Sequence, residues 1–374
     1  MAAITQQSTV EKSSWNPRSA YESWIARLGL PIHRGHHVDN LATVELGPWP
    51  ERGCNAAFLM LKGMEDIHEA RIVEIPPGRT LTPSRLALEE LVYVVNGRGL
   101  CSVWGAEGLP KRSFEWGAHS IFMVPPNYTY QLANAHGAEP ARLLITNYLP
   151  LALQALPDLD FFLDNPRVDL SILYGENDSP YSSAVVTHPL GNRAGLRNLW
   201  IGNFFPDMAT WDKLEPYRTR GAGGTTVYFR SKTGKGGHMS VFPPRRYKMA
   251  HRHGPGRVIV IPSGEGYTIL WPPGGEKTIV NWQEGTVFTP PEGWYHQHFN
   301  VGVSPARYIA FGPPRILAGK GDRIEDLQIS YPEEEPWIRQ KFEEELAKQG
   351  LTSDVPPEAY RDPDYAWDYG DDGD

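Results

Sequence analysis

Residues 245–300 read RRYKMAHRHGPGRVIVIPSGEGYTILWPPGGEKTIVNWQEGTVFTPPEGWYHQHFN, and this stretch decides the fold. His251 and His253 are two residues apart. On a strand, where side chains alternate with period two, both imidazoles then point to one face. Val258–Pro262 is a short β-branched run that ends at Ser263-Gly264, and Thr286–Thr289 follows Gly285 and stops at Pro290-Pro291. After the Pro291-x-Gly293 turn comes His296, which a neighbouring strand can bring to the first two histidines. Neutral imidazole suits iron, zinc, copper or nickel, so His251, His253 and His296 read as a transition-metal site.

Composition bounds the rest. A chain of 374 residues allows two domains of ordinary size. Gly 37 and Pro 34 make a turn-rich profile that fits many short strands. A net charge of −8, from 36 basic and 44 acidic residues, without a basic stripe, argues against nucleic acid as a partner. Cys54 and Cys101 form no CxxC spacing and no disulfide framework, which predicts a reduced, cytoplasmic protein. The opening MAAITQQSTVEKSSW has no apolar signal core, and no run of 18 apolar residues occurs, so neither a signal peptide nor a membrane partner is expected.

The chain repeats itself at an offset of about 167 residues. Gly97 and Trp104 match Gly264 and Trp271; Trp116, Phe122 and Pro125 answer Trp282, Phe288 and Pro291; Asn134 answers Asn300. Each unit reads as β, with Leu91–Val95 and Ser120–Val124 as counterparts of the later runs, which suggests a sandwich or small barrel. Helical periodicity falls at 18–28, 151–163 and 336–348, and the tail from Asp354 reads as extended or disordered. The expected division is an N-terminal helical extension (1–40), a metal-free N-terminal barrel (41–150), a linker with a helix (151–200), a metal-bearing C-terminal barrel (201–315), and a C-terminal helix with an acidic tail (316–374).

These residues resemble the cupins, whose two-part pattern is G-x5-H-x-H-x3/4-E-x6-G followed by G-x5-P-x-G-x2-H-x3-N. The resemblance covers roughly residues 70–150 and 238–312 and implies an all-β chain of two tandem jelly-roll barrels, a bicupin. Gly285, Pro291, Gly293, His296 and Asn300 complete the second part in the C-terminal unit. The first part keeps His251, His253 and Gly264, while Arg245 stands where Gly is usual and Arg257 where the family has a glutamate ligand. The N-terminal unit keeps Gly78, Glu90, Gly97 and Asn134 but has Ser84, Leu86 and Tyr130 at the histidine positions. Three histidines without a carboxylate resemble the non-haem iron dioxygenases, gentisate dioxygenase among them, and Phe114-Glu-Trp-Gly117 is similar to that group. This implies Fe(II), with Mn, Ni, Cu or Zn as alternatives, and a small hydroxy-aromatic acid or similar oxygen chelate with O2 as substrates. The rival readings are a non-oxidative isomerase, decarboxylase or hydrolase, and a non-catalytic small-molecule-binding bicupin.

Other residues admit plainer roles. His298 follows His296 by two and should share its face as an acid/base, an alternative ligand or a rim residue, while Gln297 points oppositely. Arg257 either clamps a substrate carboxylate or turns to solvent after Gly254-Pro255-Gly256. Arg246, Tyr267, Trp271, Phe288 and Trp294 are weaker pocket candidates that core packing explains as readily. His68, His119, His136 and His188 read as ordinary surface or core histidines, and the cluster His33-Arg-Gly-His36-His37 as a solvated loop or one that covers the neighbouring barrel. The ligand-poor barrel is expected to supply packing surface, with the two barrels face to face and the chain a homo-oligomer.

Overall fold

The computed structural model describes residues 19–64, 66–105, 111–163, 181, 185–192, 195–218, 220–231, 235–254, 257–312 and 327–369. Trp15, the Pro255-Gly256 turn, the last five residues and the side chain of His188 lie outside the described residues.

Two double-layered sandwiches follow one another along the chain. In the first, an eight-stranded sheet runs in the order Ile32–Gly35, Cys54–Leu61, Glu69–Ile75, Ala141–Asn147, Glu90–Asn96, Ile121–Val124, Phe204–Phe205, with Gly47–Trp49 paired beside Cys54–Leu61. Its partner layer runs Ser84–Arg85, Thr129–Asn134, Gly99–Trp104, Arg112–Trp116. The second sandwich repeats the plan. Thr225–Arg230, Gly236–Phe242, Ala306–Phe311, Val258–Ser263 and Val287–Phe288 are consecutive in a nine-stranded sheet, and Thr278–Trp282, Gly266–Trp271, Tyr295–Asn300, Ala250–His251 and Gln328–Ile329 are consecutive in the facing one.

The sequence repeat survives because it is geometric. Gly97 and Gly264 have φ of 90° and 99°, and a Cβ at either would strike the Ala141 or Ala306 on the adjoining strand. Asn134 Nδ2 donates to the carbonyls of Ile75 and Glu139 at 3.1 and 2.8 Å; Asn300 Nδ2 donates to those of Pro243 and Ser304 at 3.1 and 2.9 Å. Each Asn closes the same loop in its own unit, and satisfies carbonyls that burial would otherwise orphan.

The two large sheets pack on each other. Leu59, Ile72, Tyr93 and Leu144 from the first meet Val227, Phe229, Met239, Ile309 and Phe311 from the second in one apolar cluster. Strands are also exchanged: His37–Val38 pairs with Val287–Phe288 of the second unit, while Phe204–Phe205 pairs with Ile121–Val124 of the first. Residues before position 41 therefore belong partly to the second sandwich.

The helices are short and lie at the periphery. Ala20–Leu28 opens with a capping box, in which Glu22 N donates to Ser19 Oγ and Ser19 N to Glu22 Oε2, both at 3.1 Å, and it closes at Gly29 in the left-handed conformation. Tyr21 and Ile25 bury its inner face near Phe58. Proline 157 divides the linker into Leu149–Ala155 and Leu159–Leu163. No described helix is long and apolar enough to cross a membrane.

The C-terminal segment corrects one expectation. Pro336–Ala347 and the described tail, to residue 369, are packed down: Ile338, Phe342, Leu346, Val355, Ala359 and Trp367 are buried against Tyr247, Tyr267 and Phe299. Arg245, held at φ 56°, donates to Asp354 Oδ2 at 2.5 Å and ties the tail to the barrel. The acidic, proline-rich composition suggested an extended or disordered tail, but its spaced apolar residues have a sheet face to cover.

Candidate metal centre

The site begins with register. His251 lies opposite His296 on the strand pair Ala250–His251 and Tyr295–Asn300. The Pro291–Trp294 turn supplies the third arm: Trp294 N donates to Pro291 O at 3.1 Å, Gly293 takes φ 70°, and its N–H donates to His253 O at 3.1 Å. A side chain larger than hydrogen is strained at that φ, which is why glycine stands there.

The three imidazoles converge, with one ligand atom of each within 4.8 Å of the others. Ring centroids are 4.2 Å apart for His251 and His296, and 4.6 Å for His253 and His296. Each Nδ1 faces a backbone carbonyl: Met249 O for His251 at 3.2 Å, Gly254 O for His253 at 2.8 Å, Trp294 O for His296 at 3.3 Å. That network assigns the proton to Nδ1 and leaves each Nε2 lone pair for a ligand.

Electrostatics agree. Burial first, and Arg220 next, hold His251 well below the usual imidazole range; burial and then Arg257 do the same for His253. Burial lowers His296 to about 3. All three are neutral at physiological pH, the form that ligates. A divalent transition ion fits this set of three nitrogen donors. Among the described residues, no acid figures in the charges acting on the triad.

Basic side chains line the same interior, and burial, then Arg220, holds Lys248 well below the usual lysine range. Arg220 Nη1 donates to Gln328 Oε1 at 2.5 Å, and Gln328 is itself opposite His251 in register. Lys248 is fully buried, with Nζ 3.2 Å from Tyr308 Oη and 4.8 to 5.3 Å from the ring centres of Tyr308, Tyr217 and Phe242. Arg257 is turned inward: burial draws its pKa down, and its neighbours in charge are Tyr217, Tyr228, Tyr308 and Arg220. His298 lies deeper, with Nδ1 2.8 Å from Thr268 Oγ1, which also accepts Trp282 Nε1–H at 3.1 Å. Phe288 stands 5.9 Å from the His298 ring, inside the barrel.

Neither a family model nor a curated protein matches the chain. Solved structures do. The Lactobacillus farciminis oxalate decarboxylase formate complex aligns at 12% identity and TM-score 0.48, over 75% of this chain and 86% of that one. Bacillus subtilis oxalate decarboxylase at pH 4.6 aligns at 12% and 0.47, over 75% and 76%. A further B. subtilis oxalate decarboxylase, described with Mn(II) centres, aligns at 12% and 0.46, over 82% and 83%. At this identity the likeness concerns the fold alone. Two tandem jelly-roll sandwiches of matching strand order, with the second histidine motif seated inside one of them, decide the architecture. The chain has the bicupin fold.

Within this bicupin, three pocket candidates fall elsewhere. Tyr267 and Trp271 lie on the outer face of their strand, Tyr267 stacked on Phe299 at 4.4 Å and Trp271 on Tyr295 at 5.6 Å. Period two puts Thr268 and Leu270 inside instead. Arg246 leaves the site for the tail, with its guanidinium 5.6 Å from the Trp367 ring centre and 3.4 Å from Ala222 O. Trp294 sits beside the site, 5.9 Å from the His36 ring, so the segment 33–37, a pair of short strands rather than a loop, borders this barrel. Arg220, Lys248, Tyr217 and Tyr308 escaped the sequence reading. Arg220 falls in no motif, and a lysine in Tyr-Lys-Met-Ala looks solvated.

The corresponding region of the N-terminal barrel is built differently. Glu90 is 1% exposed and the Arg71 guanidinium donates to both Glu69 and Glu90. An arginine of the chain thus supplies positive charge among these acids. Tyr130, buried, stands at the third histidine position.

Proposed function

We propose that this bicupin is a metal-dependent enzyme acting on a small carboxylate that bears a second oxygen donor, with His251, His253 and His296 as the metal ligands. The observation that carries the reading is charge. Three neutral imidazoles leave a bound ion with its full positive charge, and Arg220 and Arg257 add cations to an interior where no acid among the described residues acts on the triad. Such an interior is costly to keep unless an anion enters it.

The all-nitrogen donor set suits Fe(II), Zn, Cu or Ni better than an ion that prefers oxygen. When bound, the ion supplies Lewis acidity to the chelated oxygens. Arg257 clamps the substrate carboxylate, and Arg220, fixed by Gln328, holds further negative charge. Thr268 Oγ1, hydrogen-bonded to His298 Nδ1, orients the imidazole, so that His298 exchanges a proton with the interior at Nε2. Phe288 helps keep the wall dry.

Non-oxidative turnover, such as decarboxylation, is favoured by the buried proton carriers. Loss of CO2 from a carboxylate leaves a carbanion equivalent that must take up one proton, and His298 and Tyr308 stand within the same interior, with ring centres 4.8 Å apart. Oxygen-dependent cleavage at Fe(II) is the second reading, supported by a ligand set that leaves up to three positions open for substrate and O2. Turnover of a panel of hydroxy- and oxo-acids, followed by carbon dioxide release and by an oxygen electrode, tests both. Turnover without oxygen uptake supports the first; strict oxygen dependence supports the second; no turnover of any acid by metal-loaded protein overturns the proposal.

A further inference from the structure

The N-terminal barrel keeps charges that a packing module does not need. Glu69, Arg71, Glu90 and Asn147 are all buried, none more than 7% exposed. Asn147 Nδ2 donates to Glu69 Oε1 at 3.1 Å and to Glu90 Oε1 at 3.4 Å, while Arg71 joins the two acids. Withdrawing such ions from water is costly, and apolar side chains of similar volume would serve a purely structural barrel at least as well. Two polar atoms are left over: Glu69 Oε2 and Glu90 Oε2 are buried and accept no hydrogen bond.

These residues border a cavity of about 520 Å³, a volume that suits a small molecule. The half-buried indoles of Trp24 and Trp49 also line it. Its described lining carries Arg52, Arg71 and Arg85 against Glu51, Glu69 and Glu90, so formal charges cancel. An ion of either sign therefore gains little net attraction there, in contrast to the cationic interior of the other barrel. A neutral molecule rich in hydroxyls gains on both counts: it can donate to Glu69 and accept from the guanidinium side, and lay an apolar face on an indole.

We infer that the N-terminal barrel binds a neutral polyhydroxylated molecule of monosaccharide class, without a metal. The ligand donates a hydroxyl to Glu69 Oε2 and rests against Trp49. This site is separate from the metal centre, so it stands or falls independently of the function proposed there.

The test uses the full-length protein with D-glucose, D-galactose, D-mannose and D-glucitol as probes, followed by saturation-transfer NMR and calorimetry. At least one probe should bind, equally well in wild type and in the metal-site variant His296→Ala. Glu69→Gln and Trp49→Ala should each weaken that binding about tenfold or more, since each removes a direct contact. Far-UV circular dichroism identifies any variant that fails to fold, and the other variant then carries the comparison. Should both fail, competition decides: D-glucuronate or D-glucosamine should bind more weakly than the neutral sugar. No binding of any probe at concentrations on the order of 50 mM overturns the inference. So does equal affinity in the folded variants, or tighter binding of a charged analogue.

Discussion

Gln297 reaches away from His296 and His298 on its own strand and donates to Glu334 Oε2 at 3.0 Å, so the sheet that carries the metal ligands is fastened to the C-terminal segment. Tyr247 Oη donates to Glu334 Oε1 at 2.5 Å. Burial raises the Glu334 carboxyl from 4.5 to about 7, against the hydrogen bonds from Tyr247 and Gln297 that lower it. The folded state thus holds a proton that the unfolded state releases near pH 4.5. Stability from this group is full below pH 4.5, falls as pH rises, and is lost above about 7. Glu334→Gln should therefore raise the unfolding midpoint at pH 8 and change it little at pH 4.5. The ceiling is on the order of 3 kcal/mol, at about 1.4 kcal/mol per unit. Thermal scans of both proteins across pH check it; a gain that is equal at both pH values contradicts the assignment.

Phe342 is the central apolar residue of the C-terminal helix, fully buried and 4.8 Å from Tyr247 and 5.8 Å from Phe299 by ring centres. Phe342→Ala should cost about 3–5 kcal/mol through lost burial and a residual cavity. Urea denaturation followed by tryptophan fluorescence should show a lower midpoint. An unchanged midpoint would mean that the helix is not part of the cooperative fold.

What could be read from sequence, and what could not, follows from which faces are covered. The second histidine motif was legible because each of its letters answers a geometric need: Gly285 at φ 84°, the Pro291–Gly293 turn, Asn300 on its loop carbonyls. Period two also placed Gln297 opposite His296. The strand Gly266–Trp271 was not legible, because nearly every residue in it is buried. One face meets the barrel interior and the other the C-terminal helix, so the alternation that marks inside from outside disappears. Tyr267 and Trp271 consequently looked like pocket residues. Arg220 carries no periodic signal, since it sits in a loop ahead of Thr225–Arg230 and reaches the site through Gln328.

Arg257→Met should reduce affinity for carboxylate ligands by about 2–4 kcal/mol if a bidentate, desolvated pair is broken, roughly thirtyfold to a thousandfold. Metal content should stay at the wild-type level, because a guanidinium does not ligate. Calorimetry with metal-loaded protein and the acid that it turns over separates the two readouts. Affinity that does not change would return Arg257 to a structural role and leave the carboxylate to Arg220.

The most direct measurement is the metal content of each chain, by mass spectrometry of purified protein exposed to Fe(II), Zn, Cu, Ni and Mn in turn. The triad predicts one ion per wild-type chain, almost none for His296→Ala, and still one for Glu90→Gln in the other barrel. Retention of the ion in folded His296→Ala, or its loss in folded Glu90→Gln, would contradict the assignment of the centre to His251, His253 and His296.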